Sequence, residues 1–363
     1  MRTPLLLTLL IIHSPVWADN DHLPPYQARF DRDKPVIAVV GENRMTELVD
    51  YLVPFGLLSQ AGIAEVVALS TEAGPLHLMP ALTIRAQATV EEFQRLYPQG
   101  ADYLIVPAVH ESDDPRLLAF IRSQAKHGAT LVGICDGVLA LGQAGQLRGR
   151  RATGHWYSLQ QRREDFPETR WVENRRYVVD GKVMTTSGVS AAIPATLAVV
   201  EAIAGAGRAA ELGSAIGLAD WSPRHDSRQF AFGARDYMTI AGNYAAFWRH
   251  ETLDVPLQPG LDEAVLALKT DAWARSFRTE VSASAAGPVI SRHGLTFLPD
   301  VQDSSATPMP GDATSASDAL DEAIQSIGER YGLATAELVA AQLEYQPSER
   351  SKPEARRNNR DNP

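Results

Sequence analysis

The sequence predicts an α/β fold: a mostly parallel sheet covered by helices over residues 30–207, followed by a smaller mixed C-terminal region. Three observations predict it. Short β-branched runs alternate with amphipathic stretches from Pro35 onward. One strong hairpin signal, Asp180-Gly181, falls late in the domain. An apolar helical stretch, "SAAIPATLAVVEAIAG", then follows to close the layer over the sheet.

Taken in order, "PVIAVVG" reads as a first strand, "TELVDYLVPFGLLSQAG" as the helix after it and "AEVVALS" as a second strand. "ADYLIVPAV" and "ATLVGI" are two further strands, separated by the helical "DPRLLAFIRSQAKHG". "DGVLALGQAG" is a helix closed by Gly145, and "RWVENRRYVVDGKVMTTSG" is a hairpin. In the next helix Pro194 sits in the first turns, where proline disrupts least. Residues 208–300 form the mixed α/β region, with a helix at 262–277, and residues 301–317 are a Pro/Ser/Ala linker. Residues 318–345 read as two short amphipathic helices, and residues 346–363 lack the apolar side chains to fold around and read as a disordered tail. "AGPLHLMPALT" from Ala73 returns as "AGPVISRHGLT" from Ala286, an echo that reads equally as a degenerate partial repeat or as shared turn chemistry.

The chain has 363 residues, 45% of them hydrophobic and 21% charged, with a net charge of −10. An acidic chain without a basic stripe is a poor partner for nucleic acid or anionic lipid, so neither is expected. Residues 1–18 combine Arg2, the apolar run Leu5–Ile12 and the small residue Ala18, the parts of a signal peptide. The expected location is therefore periplasmic or secreted. No later apolar run reads as a membrane span.

An exported chain with a single cysteine raises the question of why that thiol is kept. Cys135 lies in Gly133-Ile134-Cys135-Asp136-Gly137, a G-x-C-x-G pattern where a strand turns into a helix. Small residues on either side let the backbone fold back, so the central side chain is held strained at the top of the sheet. A helix start also favours the thiolate, the reactive form. The alternative is a small apolar residue packed in the core.

"GICDGVLALGQAGQLRGRRATGHWYSLQQRREDFP", followed by "YVVDGKVMTTSGVSAAIPATLAVVEAIAG", resembles the ThiJ/PfpI superfamily. Within it the likeness is to the sensor domains of GlxA-like AraC-type regulators. The resemblance implies the class I glutamine amidotransferase-like fold, a flavodoxin-like three-layer sandwich, and a homodimer. It also implies a nucleophile at Cys135. The family's acidic residue matches Asp50 in "LVDYLVPFGLL", and a histidine near the thiol matches His155 in "TGH". Asp50 is otherwise a solvated helix residue, and His155 otherwise a hydrogen-bonded partner of a strand end.

Two departures from the family limit what carries over. Asp136 follows the cysteine where protease-like members have histidine, and a carboxylate there opposes thiolate formation. Ala108 and Val109 stand where the family has a glycine pair that offers N–H groups to an oxyanion. His110 and Glu111 fall on the same rim of the sheet and are candidates, with Asp136, to supplement the pocket; the alternative is that they are surface loop residues without a special role.

His225-Asp226-Ser227 holds the letters of a triad, which is a spatial arrangement rather than a sequence run. His250-Glu251 lacks a second metal-binding histidine, and there is no phosphate-binding glycine loop, so neither metal nor cofactor is expected.

Three functions follow. The first is a cysteine-dependent hydrolase, hydratase or lyase acting on a small electrophile. The second is a non-catalytic ligand or redox sensor in the same pocket, and the third, by family likeness only, a transcription regulator.

Overall fold

The computed structural model describes residues 21–300 and 305–348. The expected signal peptide, the first residues of the expected linker and nearly all of the expected tail lie outside the described residues.

The chain begins its sheet with β1 (Val36–Gly41), then β2 (Thr46–Glu47), α1 (Leu48–Ala61) and β3 (Glu65–Ser70). Helix α1 starts where the Glu47 carboxylate accepts the Asp50 N–H at 2.6 Å, and it stops at Gly62, whose φ of 67° only glycine adopts without strain. A hairpin, β4 (Leu76–Met79) and β5 (Thr83–Arg85), comes next, then β6 (Ala88–Thr89) and α2 (Val90–Leu96), which opens on a Thr89–Glu92 capping box. These four short elements have no counterpart in the sequence expectation, because each is too short to show a period.

The alternation then becomes regular: β7 (Tyr103–Val106), α3 (Pro115–Lys126), β8 (Thr130–Gly133) and α4 (Gly137–Gln143). Strand β9 (Arg151–Ala152), α5 (Leu159–Asp165) and β10 (Arg170–Trp171) follow, and β10 pairs with β9 in parallel. The expected hairpin is therefore shorter than its sequence suggested, comprising β11 (Tyr177–Asp180) and β12 (Val183–Thr186) around Gly181, φ 63°. Helix α6 (Ala192–Ala215) runs past the boundary expected at residue 207, with a break at Gly205.

Seven strands form the main sheet in the order β11-β12-β8-β7-β1-β3-β6, parallel except for the edge pair β11-β12. Alternate side chains of one strand face opposite layers. Ile37 and Val39 join the cluster formed with α1 and α6, whereas Val36, Ala38 and Val40 join Phe93, Leu117 and Leu141 of α2, α3 and α4. This is the α/β sandwich with a mostly parallel sheet that the sequence predicts. Together with the preceding turn, α6 forms the one stretch among the described residues, Val189–Ala215, long and apolar enough to cross a membrane by length and composition. Its side chains Leu197, Val199 and Val200 are fully buried in the protein core, while Ala204 and Ala206 are exposed.

The C-terminal region adds α7 (Ala234–Ala245), β13 (Glu251–Pro256), α8 (Glu263–Ala274) and β14 (Thr279–Ser284). Strands β15 (Val289–Ile290), β16 (Thr296–Leu298) and β17 (Thr307–Pro308) follow, then α9 (Ala316–Tyr331) and α10 (Leu333–Gln342). The expected linker thus contains β17, which pairs with β13, and the first residues of α9. Leu268 of α8, Ile324 of α9 and Val339 of α10 share one continuous core with Leu52 of α1.

Candidate functional site

The site is built first by the turn from β8 into α4. Cys135 has φ 52°, a conformation a non-glycine residue adopts only under strain, and its N–H donates to Thr186 Oγ1 at 2.9 Å. The flanking glycines are required sterically. A Cβ on Gly137 would lie 2.0 Å from the Val106 carbonyl oxygen, and one on Gly133 would lie 2.7 Å from Leu141 Cδ1. The thiol faces a cavity of about 580 Å³ walled by Met79, Pro80, Ala108, Trp156 and Phe277. Cys135 itself is only 6% exposed.

Helix α1 brings Asp50 to the same place from below. Asp50 is fully buried, its Oδ2 accepts the Ala108 N–H at 3.0 Å, and its Oδ1 has no hydrogen-bond partner among the described residues. The expectation of a solvated helix residue is excluded. Burial pushes the Asp50 carboxyl up to about 7. The Ala108 N–H, proposed from the sequence as an oxyanion donor, is already engaged by this carboxylate.

Sequence reasoning missed the charges that share this floor. Arg275, which follows α8, places Nη2 2.9 Å from Glu47 Oε1 and Nε 2.8 Å from Asp271. Glu47 and Asp271 thus share one guanidinium, whose charge also acts on the buried Asp50. Burial raises all three carboxyls, and the Arg275 charge pulls each back down. No local pattern signals this, since Arg275 lies 228 residues from Glu47.

The thiol follows the same logic. Burial, then the charges of Asp50, Asp136 and Glu47, push Cys135 well above the ordinary thiol value, with Arg275 opposing. These surroundings work against the thiolate expected at the start of α4: a helix terminus acts over one turn, while burial and three neighbouring carboxyl groups oppose it. Asp136 lines the cavity, and its Oδ1 accepts from Ser158 Oγ at 2.5 Å. Ser158 in turn receives Arg162 Nε at 2.9 Å, and Arg162 also donates to the His155 carbonyl.

His155 lines the cavity beside the thiol. Its Nε2 lies 3.1 Å from the Gln342 carbonyl oxygen, which can only accept, so Nε2 carries the proton and Nδ1 keeps its lone pair. Burial lowers its pKa against the opposing charge of Glu344, which favours the neutral ring. Glu344, another residue the sequence did not flag, is held at φ 50°. Its carboxylate receives the Trp156 N–H at 3.1 Å, Ser227 Oγ at 3.1 Å and contacts His225 Nε2 at 2.8 Å. Gly188 makes room for it, since a Cβ there would sit 2.7 Å from the Glu344 side chain. His225 and Ser227, dismissed as a triad by adjacency, are thus both partners of one carboxylate.

Val109, His110 and Glu111 do not line the cavity. Val109 bridges to Thr46, the His110 N–H bonds to the Met45 carbonyl at 2.9 Å, and Glu111 pairs with Arg44 on the surface. The chain after Ala108 turns to pair with β2's edge, which carries these side chains away from the thiol. A larger cleft, about 1080 Å³ between α6 and α9, contains none of the residues selected from the sequence. The thiol makes the smaller cavity the candidate site. Among the described residues no cluster of His, Cys, Asp and Glu is arranged to hold a metal ion.

Comparison with known proteins bears on the domain that carries this cysteine. Residues 36–202 match the DJ-1/PfpI family. The HTH-type transcriptional regulator CdhR of Pseudomonas aeruginosa is 28% identical over 170 residues, 46% of this chain and 49% of that one. The isonitrile hydratase of Pseudomonas putida is 36% identical over 95 residues, 26% of this chain and 40% of the relative. The chain therefore spans half or less of the length of these curated relatives. Among solved structures, oxidized Toxoplasma gondii DJ-1 is 21% identical with a TM-score of 0.45, covering 51% of this chain and all of that one. A ThiJ/PfpI family protein from Pseudomonas syringae is likewise 21% identical with a TM-score of 0.45, covering 50% of this chain and 74% of its own. With its elbow cysteine at residue 135 and its acidic partner on the first helix, the α/β domain over residues 36–202 is a DJ-1/PfpI family domain.

Proposed function

We propose that this domain is a thiol-dependent hydratase for a small uncharged electrophile, of which an isonitrile is the first candidate. The observation that carries the reading is the pairing of a strained, cavity-facing Cys135 with a buried Asp50 whose carboxyl is pushed up to about 7. An acid–base group works best when its pKa lies near the operating pH. The relative named for isonitrile hydration supplies the candidate substrate, and the apolar walls, with Met79, Trp156 and Phe277, favour a neutral organic molecule.

In this reading the Cys135 sulfur bonds to the electrophilic carbon while its proton passes to Asp50 Oδ1. Asp50 returns that proton to the substrate atom that has gained the electron pair. Water then displaces the sulfur, giving up one proton to His155 Nδ1, which passes it back to the departing thiolate. The balance is the net addition of one water, with the thiol regenerated. Because the surroundings oppose a free thiolate, proton transfer must accompany attack. Hydrolase or lyase chemistry would use the same first step.

The competing reading is a ligand sensor in the same cavity. One observation favours it: the buried thiol is pushed up rather than down. Export rests on residues 1–18 alone, and the mass of the mature amino terminus after expression tests it. For the activity, wild type, Cys135→Ser and Asp50→Asn are incubated with a panel of small isonitriles, and the formamide product is measured by mass spectrometry. Product with wild type and none with Cys135→Ser supports the hydratase. Tight binding by both proteins, without product, supports the sensor.

A further inference from the structure

The sequence echo between the segments starting at Ala73 and Ala286 has a three-dimensional counterpart. In the first hairpin Leu76 pairs with Ile84 and His77 with Thr83. In the second, Val289 pairs with Phe297 and Ile290 with Thr296, so each partner is displaced by the step that carries Ala73 onto Ala286. The two hairpins then pair with each other through antiparallel β5 and β16, in the register Thr83–Leu298, Ile84–Phe297 and Arg85–Thr296. Under the same step Ile84 corresponds to Phe297, so the central pair maps onto itself. The outer two pairs map onto each other. A register with this property is that of a two-fold axis through the Ile84–Phe297 pair.

The elements before the hairpins correspond as well. The step carries Ala61, the end of α1, onto Ala274, the end of α8, and the two helices pack against each other with Gly56 of α1 facing Glu263 of α8. Strand β1 lies between β3 and β7, and β13 lies in parallel between β14 and β17. Gln87 bonds Ala68 of β3 through side chain and backbone N–H. Asp300, its counterpart under the step, makes the same two bonds to Ala283 of β14, two residues beyond Val281, the counterpart of Ala68. Shared turn chemistry explains one hairpin recurring. It does not explain a helix, a strand pair, a side-chain bond and a self-mapping register together.

We infer that residues 251–300 are a reduced internal copy of residues 36–87, set against the original about a local two-fold axis, so that the chain carries its own partner subunit. The copy covers α1 and the outer edge of β5, so neither is open to a second chain. It does not extend to a thiol, since Cys135 lies outside residues 36–87, and Glu263, the counterpart of Asp50, is bonded to His293 at 2.8 Å. What it gives the single site is Arg275, the residue just after α8, which lines the Cys135 cavity. A second chain is thereby kept from pairing through this face, which an intramolecular contact already fills.

Hydrogen exchange on the full chain tests this, read in residues 48–61 and 83–85 over a roughly hundredfold range of protein concentration, with sedimentation velocity alongside. Protection unchanged by dilution is expected, whether or not a dimer forms through another surface. Protection lost on dilution, together with conversion of a two-chain species to one chain, would show that a second molecule supplies the contact and would overturn the inference.

Discussion

The backbone N–H of Ala108 donates to Asp50 Oδ2 at 3.0 Å, so the amide expected to stabilise an oxyanion instead anchors the buried acid. One oxygen of Asp50 is fixed by this bond, and the other has no hydrogen-bond partner among the described residues. The arrangement orients a carboxyl group for proton transfer rather than building a hole for negative charge.

Asp50→Asn removes a charge that opposes the Cys135 thiolate. Alkylation of Cys135 at pH 8 should become faster, by up to about tenfold for each pH unit that the thiol midpoint falls. Mass-spectrometric alkylation rates against pH check it, and a slower or unchanged rate would place the two groups out of electrostatic contact. Turnover of the isonitrile should fall at the same time.

The same substitution changes how stability depends on pH. Asp50 titrates near 3.8 when unfolded and at about 7 when folded, so between these values the folded state holds a proton that the unfolded state has released. Stability from this group is full below the lower value and is lost as pH rises through the higher one. Urea unfolding of Asp50→Asn should therefore show a flatter decline between pH 4 and 7 than wild type.

Arg275→Met leaves Glu47, Asp50 and Asp271 buried without their cation. The expected destabilisation is about 3–5 kcal/mol, the usual cost of stranding buried charge. It should be larger at pH 8 than at pH 5, because protonated carboxyls tolerate the loss. Denaturant midpoints at the two pH values measure it; an equal loss at both would mean that Arg275 acts by packing alone.

Backbone strain at Cys135 can be read by comparing Cys135→Gly with Cys135→Ala. Both remove the thiol, but only glycine adopts φ 52° without cost. The glycine variant should be the more stable by about 1 kcal/mol. By contrast, Gly137→Ala should fail to fold, since its Cβ would meet the Val106 carbonyl at 2.0 Å, and soluble expression reports this directly.

The sequence by itself determined the main sheet, because β1, β3, β7 and β8 are continuous apolar runs bounded by clear breakers. It also determined the elbow at Cys135, because the glycine spacing is a local steric requirement. The candidates Asp50 and His155 were legible through family likeness, and both reach the site. Val109, His110 and Glu111 were not excluded by sequence, since proximity to a strand end says nothing about which way the next residues turn.

Only the tertiary structure decided the electrostatics. Whether a carboxylate is solvated or buried depends on what packs over it, and Asp50 is covered by elements far away in the chain. Arg275 and Glu344 reach the site through contacts between segments at opposite ends of the sequence, so no periodicity or motif could have placed them. The copy after residue 250 showed in the sequence as a short echo that a partial repeat and shared turn chemistry explained equally, because strand pairing fixes register while leaving side chains free to diverge.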